Sequence, residues 1–329
     1  MSAPTPSPTT GVLPESRPVP HGDAAAARTR LGDRVFSGLS TSSGILILVV
    51  LAGVAGFLVI ESLPVLGADS ADLPGDRSFL AILGPLVFGT LLSAGLALLM
   101  AAPMSIAIAL FISHFAHRRL ARTLGYLVDL LAAIPSVIYG AWGFLVLAPY
   151  LVPTYAWLGE NLSFIPFFAG PGSSTGRTIL TASIVLAVMV LPIMSAINRE
   201  VFLQTPKLHE EASLALGATR WEMIRMTVLP YGRSGMVSGA MLGLGRALGE
   251  TIAVLLVLSA SGGVSFNLIS RDNPTTIPAN IAAQFPEATG ITVNVLIATG
   301  LVLFVITFAV NFLARSLLAR RADFDGAAG

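Results

Sequence analysis

The stretch TPKLHEEASLALGATRWEMIRMTVLPY, Thr205 to Tyr231, is a polar island between two long apolar segments. Thr205 can cap a helix whose first position is Pro206, a residue whose fixed φ and missing N–H suit a helix start. That helix is expected to run to Leu216 and to end at Gly217, which can take the left-handed conformation that closes a helix. Thr219 and Glu222 then have the spacing of a capping box, so a second helix is predicted to restart after a sharp corner and to be stopped by Pro230. Two short helices meeting at a glycine hinge, with lipid-length apolar segments on either side, read as a docking device just outside a membrane.

Composition supports the membrane. Charged residues are 11% of the chain and apolar residues 54%, whereas soluble domains carry about 25% charged residues. A helical crossing takes about 20 apolar residues. Such runs lie at Ile45 to Ile60, Leu80 to Phe111, Leu124 to Leu151, Ile179 to Ile197, Gly235 to Leu258 and Val293 to Leu313. The expected fold is therefore an all-α membrane protein with six transmembrane helices and both termini on one side. The second and third spans are over-long and contain Pro103 and Pro135, so tilt or kinking is expected there.

Basic residues set the orientation. Of the 19 Lys and Arg residues, fifteen fall on the side of the termini and the polar island, Arg77, Arg177 and Arg271 fall opposite, and Arg246 lies within a span. The positive-inside rule assigns the crowded side to the cytoplasm. Residues 1–40, rich in Pro, Ala, Ser and Thr, are expected to form a disordered cytoplasmic tail. Residues 41–318 form the transmembrane domain, with the cytoplasmic loop at 205–230, and 319–329 a cytoplasmic C-terminal tail. The apolar segment from Ile45 starts too far from Met1 for a signal peptide and reads as a retained helix. With no cysteine, disulfides and Cys-based metal or redox sites are excluded.

The island also carries a motif. Glu211-Ala212-Ser213, three residues, Gly217, nine residues, then Thr227-Val228-Leu229-Pro230 resembles the EAA loop of ABC importer permeases, EAA-x3-G-x9-I-x-L-P. Ser213 and Thr227 depart from the commonest residues, while the glycine and the proline are in place. The resemblance implies that Glu211, Ala212, Gly217 and Pro230 belong to a coupling loop seated in a groove of a cytoplasmic ATP-binding subunit dimer. ATP would then be used by that partner, with no cofactor bound by this chain.

The next span holds GLGRALGET, Gly243 to Thr251. A helix starting near Gly235 puts Arg246 roughly 17 Å and Glu250 roughly 22 Å along it, near the middle of the layer. A central arginine costs about 2.5–3.5 kcal/mol on insertion scales, so it should face protein or a water-filled path. Arg246 and Glu250 are four apart on one helical face and could neutralise each other, but Arg-before-Glu is the weaker orientation. The arginine fork suits an oxyanion. A carboxylate beside it could accept the P–OH of phosphate, which sulfate lacks. Arg246, Glu250 and Thr251 are thus the candidate substrate-binding and translocation residues.

GLGRALGETIAV, the six-span layout and the later stretch NPTTIPANIA together resemble the PstC-type permeases of bacterial phosphate ABC importers, from about Leu39 to Arg321. This resemblance implies the ABC importer type I permease fold in the bacterial plasma membrane. It also implies a second, PstA-like permease subunit as heterodimer partner and an extracytoplasmic phosphate-binding protein that lands on outer loops 152–177 and 262–290. Arginine followed by LGE also occurs in sulfate and molybdate permeases, which stand as the rival transport reading; an intramembrane enzyme is the rival from another class.

Other features are weighed against these. Gly235, Gly239 and Gly243 recur every four residues, with Gly245 and Gly249 on an adjacent face; they serve packing within the chain, contact with a partner permease, or a flexible gating helix. Asp129, read as lying inside the third span, could answer Arg246 or bind that span to a neighbour. Glu61 is expected to be solvated near the outer interface. Gly172 to Gly176 matches G-x-S-x-G, but all four histidines map to the opposite side, so no Ser–His pair is available. His209-Glu210 lacks the second histidine of HExxH, because position 213 is Ser, and no G-x-x-x-x-G-K-S/T loop exists. Nothing suggests nucleic acid as a partner; membrane lipid is one.

Overall fold

The computed structural model describes residues 31–261 and 263–326. Among them the secondary structure is helical, with no strand and one β-bridge between Ala260 and Asn273. The chain divides into a unit ending at Val54 and a unit from Ala55 onward. α1 (Leu31–Leu66) begins inside the stretch expected as a tail to residue 40; residues 1–30, the rest of that expectation, lie outside the described residues. At the other end α12 (Ile291–Gly326) runs past residue 318 into the expected C-terminal tail, of which 327–329 are likewise not described.

Among the described residues five helical stretches are long and apolar enough to cross a membrane: Val35–Leu66, Phe79–Phe115, Ser136–Asn161, Ile179–Leu203 and Ile291–Ser316. The first, second, fourth and last match expected spans, with α2 (Phe79–Leu110) carrying Pro103 inside it.

The third begins later than expected. Residues from Arg118 form a separate amphipathic helix, α3 (Arg118–Ala132), and the apolar helix starts only at α4 (Ser136–Trp142). Pro135 sits between them with φ −59° and ψ 139°, extended backbone. Proline has no N–H to continue a helix and pushes the preceding residue out of the helical region, so here it separates two helices instead of kinking one. Asp129 is therefore on α3 and outside a span. It answers Arg199, at 3.6 Å, and not Arg246.

Two further prolines are absorbed by widened turns. α4 continues through a wide turn at Gly143–Leu147 into α5 (Ala148–Asn161), where Ala148 N–H donates to Gly143 O. Pro149 follows directly. After the polar island the same arrangement recurs: α8 (Arg220–Met223), a wide turn at Ile224–Val228 with Leu229 N–H donating to Ile224 O, then α9 (Leu229–Leu248) with Pro230 in its first turn. An i→i+5 turn moves the carbonyl that the proline ring would strike and needs no N–H from the proline. Pro230 therefore does not stop the second helix of the island; that helix runs on through α9 to Leu248.

α6 (Ile179–Leu203) is the centre. Its side chains Ile179, Val185, Leu186, Met189, Val190 and Met194 are fully buried and pack with Ala94, Ala97 and Ala101 of α2 and with Ala253, Val254 and Val257 of α10 (Ile252–Val257). α9 closes on it through glycines. A Cβ on Gly243 would meet Met194 Sδ at 2.7 Å, one on Gly239 would meet Asn198 Oδ1 at 3.2 Å, and one on Gly235 would run into Val201. This row thus packs within the chain. Gly245 faces open space and Gly249 touches only the Gly245 carbonyl, so the second row is not used that way.

The loop before α12 is pinned by Asn273, which is fully buried. Its side-chain oxygen accepts from Ile179 N–H at 3.0 Å, and its amide donates to Arg177 O, Ser259 O and Arg271 O, each at 3.2 Å. Thr276 caps α11 (Ile277–Gln284), and Thr90 Oγ1 of α2 accepts from Ile277 N–H at 2.9 Å. The NPTTIP stretch is thus a structural clamp that orders this end of α2, α6 and α11. Glu61 is tied down too: Asn294 Nδ2 donates to its carbonyl at 2.8 Å and to its carboxylate at 3.0 Å.

Candidate transport and coupling sites

At the polar island, α7 (Lys207–Ala215) has Pro206 as its cap residue, with no side-chain cap. Thr205 is buried and its hydroxyl makes no hydrogen bond among the described residues. The expected Thr205 cap is absent because the chain is still leaving α6 there, with Thr205 N–H donating to Phe202 O. The far end is as expected. Gly217 has φ +90°; its N–H donates to Leu214 O at 3.0 Å and the N–H of Ala218 donates to Ser213 O at 3.2 Å. This is the paired-bond closure that only a left-handed residue allows without strain. Thr219 and Glu222 form a full capping box: Glu222 N–H donates to Thr219 Oγ1 at 3.3 Å and Thr219 N–H donates to Glu222 Oε2 at 2.8 Å. The backbone and hydroxyl donors of Thr219 hold the Glu222 carboxyl below the ordinary glutamate range.

Ser213 and Thr227, the two departures from the motif, meet. Their hydroxyls are 2.8 Å apart, and Ser213 also donates to His209 O. One hydrogen bond thus joins α7 to the wide turn that enters α9. A second tie reaches the wide turn that follows α2 at Phe111–Phe115, where His114 Nε2 lies 3.5 Å from Glu210. Glu211, Ala212, Gly217 and Pro230 are all exposed. Around them stand apolar side chains with no cover, Leu208 at 77% and Leu216 at 90% exposure, with Trp221 beside them at 57%.

The expected fifth span is broken. α9 ends at Leu248, Gly249 closes it, and α10 starts at Ile252. Arg246 is in the last turn of α9, and Glu250 is in the gap. No bond joins them: among the described residues no carboxylate lies within 4.0 Å of Arg246. Glu250 is 9% exposed, and its Oε1 accepts from Ala253 N–H at 3.2 Å, so that oxygen serves the first turn of α10. Thr251 sits in the same gap, its hydroxyl donating to Gly249 O at 3.2 Å.

Arg246 Nε is buried without a hydrogen-bond partner among the described residues. The side chain lines a cavity of about 670 Å³ between α6, α9 and α12, together with Gly245, Ser238, Asn311 and Arg315. The charge map alone places Arg315 with the basic residues on the side of the termini, and the sequence reading gives Asn311 no role. Their spacing of four residues on one helix was the available signal. The site has two guanidinium groups, an amide and a hydroxyl around one open volume, a donor-rich set suited to an oxyanion.

Comparison with known proteins identifies the family. Residues 101–322 match the family described as binding-protein-dependent transport system inner membrane component. The chain is 44% identical over 306 residues to the phosphate transport system permease protein PstC 2 of Mycobacterium tuberculosis, covering 89% of this chain and 94% of that protein. It is 39% identical over 310 residues to the phosphate transport system permease protein PstC of Mesorhizobium japonicum, covering 91% and 93%. Among solved structures, a chain of a bacterial alginate ABC transporter in complex with alginate pentasaccharide-bound periplasmic protein superposes with TM-score 0.59 at 20% identity, covering 88% of this chain and 95% of that one. That last likeness is one of fold.

Proposed function

Because the chain belongs to the family of binding-protein-dependent transport system inner membrane components, we propose that it carries phosphate across the membrane by alternating access around Arg246. It is a multi-pass inner-membrane permease subunit of a phosphate ABC transporter, and not an enzyme. The observation that carries the substrate site is the Arg246 guanidinium, left with an unpaired buried Nε at a helix break that opens onto the α6–α9–α12 cavity. A loaded oxyanion would take the donors that the chain leaves free, with Asn311 and Arg315 on the far wall. One Glu250 oxygen is engaged by α10; Glu250 and Thr251 are not on the cavity wall, so for the other oxygen to accept the phosphate P–OH the cargo must reach the α9–α10 gap beside it. Thr251 shapes that gap.

On this reading α9 and α10 together make a sixth, discontinuous span, both termini face the cytoplasm, and the corner at Gly217 couples transport to an ATP-binding subunit dimer. The exposed Leu208, Leu216 and Trp221 support that docking, since a free-standing corner gains nothing by presenting them to water. A PstA-like permease completes the path and an extracytoplasmic phosphate-binding protein delivers the cargo. ATP is used by the partner, and no cofactor is assigned to this chain.

The test is uptake of labelled phosphate by cells or proteoliposomes in competition with sulfate and molybdate, for the native chain and for Arg246→Ala and Glu250→Gln. Losing one charge-assisted hydrogen bond, worth about 1.5–3 kcal/mol, should lower uptake efficiency for Arg246→Ala by about tenfold to 150-fold. Glu250→Gln should chiefly raise competition by sulfate. Unimpaired and equally selective uptake by both variants would sink the assignment.

A further inference from the structure

At the end of the molecule that carries α7, helix α3 has three sectors. Ala121, Leu124, Gly125 and Val128 turn toward the rest of the fold, with Gly125 in contact with the Arg199 guanidinium. Beside them runs a row of leucines that nothing covers: Leu120 at 47%, Leu127 at 48%, Leu130 at 65% and Leu131 at 44% exposure. On the other flank, at 100° per residue, fall Arg118, Arg122 and Asp129.

That charged flank borders a cavity of about 420 Å³ walled by Ile112 and Ser113 from the wide turn after α2, Arg118 and Arg122 from α3, and Arg199 from α6. Three guanidinium groups converge there against one carboxylate. Asp129 takes part of the Arg199 charge at 3.6 Å, whereas no carboxylate lies within 4.0 Å of Arg118 or Arg122 among the described residues. The cavity lies at the C-terminal ends of α2 and α6, the depth at which apolar spans give way to polar headgroups. The Asp129–Arg199 and His114–Glu210 pairs put it at the same end as the coupling corner.

We propose that this cavity binds the phosphate-bearing headgroup of an anionic phospholipid from the leaflet on the coupling-corner side, with α3 lying in the plane of the interface. The charge alone would suit any phosphate group. The leucine row argues for the lipid, because an interfacial helix buries such a row among acyl chains while its basic flank meets the headgroups. Arginine suits the task by its planar fork, which holds a phosphodiester through paired bonds. The site uses only the membrane setting, so it stands or falls separately from transport by Arg246.

The test is a titration of the full-length chain, in the complex with which it purifies in neutral detergent, with fluorescent short-chain phosphatidylglycerol and with the matching phosphatidylcholine, read by anisotropy. Phosphatidylglycerol should bind in clear preference. Arg118→Gln and Arg122→Gln should each lose about fivefold and the double variant about thirtyfold, as expected for basic residues at an anionic surface. Arg122→Lys should bind more tightly than Arg122→Gln and more weakly than the native chain, because the charge stays while the paired bonds go, which separates lost charge from a lost fold. Arg119→Gln, outside the cavity, should change little. Equal binding of the two lipids, a loss for Arg119→Gln as large as for Arg122→Gln, or displacement of phosphatidylglycerol by millimolar inorganic phosphate would each overturn the proposal. The first would mark α3 as covered by protein, the second as a diffuse charged surface, and the third as a site for free phosphate.

Discussion

Replacing Gly217 isolates one energy term in the coupling corner. Its φ of +90° is a conformation that L residues adopt at a cost of about 1–2 kcal/mol. A Cβ added there would meet nothing within 4 Å, so no steric clash confuses the measurement. The corner of a Gly217→Ala chain should therefore open about five to thirty times more often. Two amides report this directly, since the N–H groups of Gly217 and Ala218 are the ones bonded back to Leu214 and Ser213. Hydrogen exchange of the segment around residues 214–220, followed by mass spectrometry, should accelerate by that factor, while α6 keeps its protection. Residue type gives a second check. Asn tolerates the left-handed region better than Ala, and a β-branched Val is the worst fit, so exchange should rise in the order Gly, Asn, Ala, Val. Coupling to the ATP-binding partner should weaken in the same order. Exchange in the Ala variant equal to that of the native chain, or Val indistinguishable from Asn, would refute the account of the corner.

Two other expectations follow from the same loop. Thr219 donates two hydrogen bonds to the Glu222 carboxylate and lowers its pKa, so the cap is intact above the ordinary glutamate value of about 4.3 and is lost as pH falls through the lower folded value; Glu222→Gln should flatten the fall in melting temperature of the purified chain between pH 6 and pH 3, which are round experimental limits of about these values. The Ser213–Thr227 bond should appear as a coupling of about 1 kcal/mol in a Ser213→Ala, Thr227→Val double-mutant cycle on thermal stability, and strict additivity would show that the hydroxyls do not support one another.

The features legible in the sequence were those set by neighbours in the chain. The Gly217 closure and the Thr219–Glu222 box need only residues a few positions apart, and both formed as read. Two of the differences between sequence and structure share one cause. An apolar run long enough for lipid predicts one unbroken span, whereas local signals set where the helix ends. Run length predicts one span over 124–151, but Pro135 and the charges after Arg118 mark a boundary, and the structure follows them. Run length likewise predicts an unbroken span over 235–258, but Arg246 in a last turn followed by Gly249 is the ordinary signature of a helix end, and the helix ends there. Pro230 failed in the opposite direction, because a wide turn absorbed a residue that normally stops a helix. Such turns depend on a backbone rearrangement with no composition of its own. The gathering of Asn311, Arg315 and Arg246 around one cavity was beyond local reading, since α12 reaches α9 only through the folded chain.

The helix break also changes the energetics of the buried arginine. Inside a continuous helix, Arg246 would meet the full insertion cost of about 2.5–3.5 kcal/mol, with Glu250 one turn away as its only relief. At the carboxyl end of α9 the guanidinium instead meets the negative pole of the helix, worth about 0.3–1 kcal/mol and up to about 2 in a partly buried site. Even the upper figure falls short of the cost, and Arg315 across the cavity adds a like charge. Glu250 gives one of its oxygens to Ala253 and does not close the gap. On the proposed reading the site keeps positive charge that no carboxylate among the described residues neutralises, and an oxyanion cargo would supply the missing negative charge. An arginine already neutralised by a carboxylate would have to break that pair before it could bind cargo. Held by a helix end alone, Arg246 needs no such exchange.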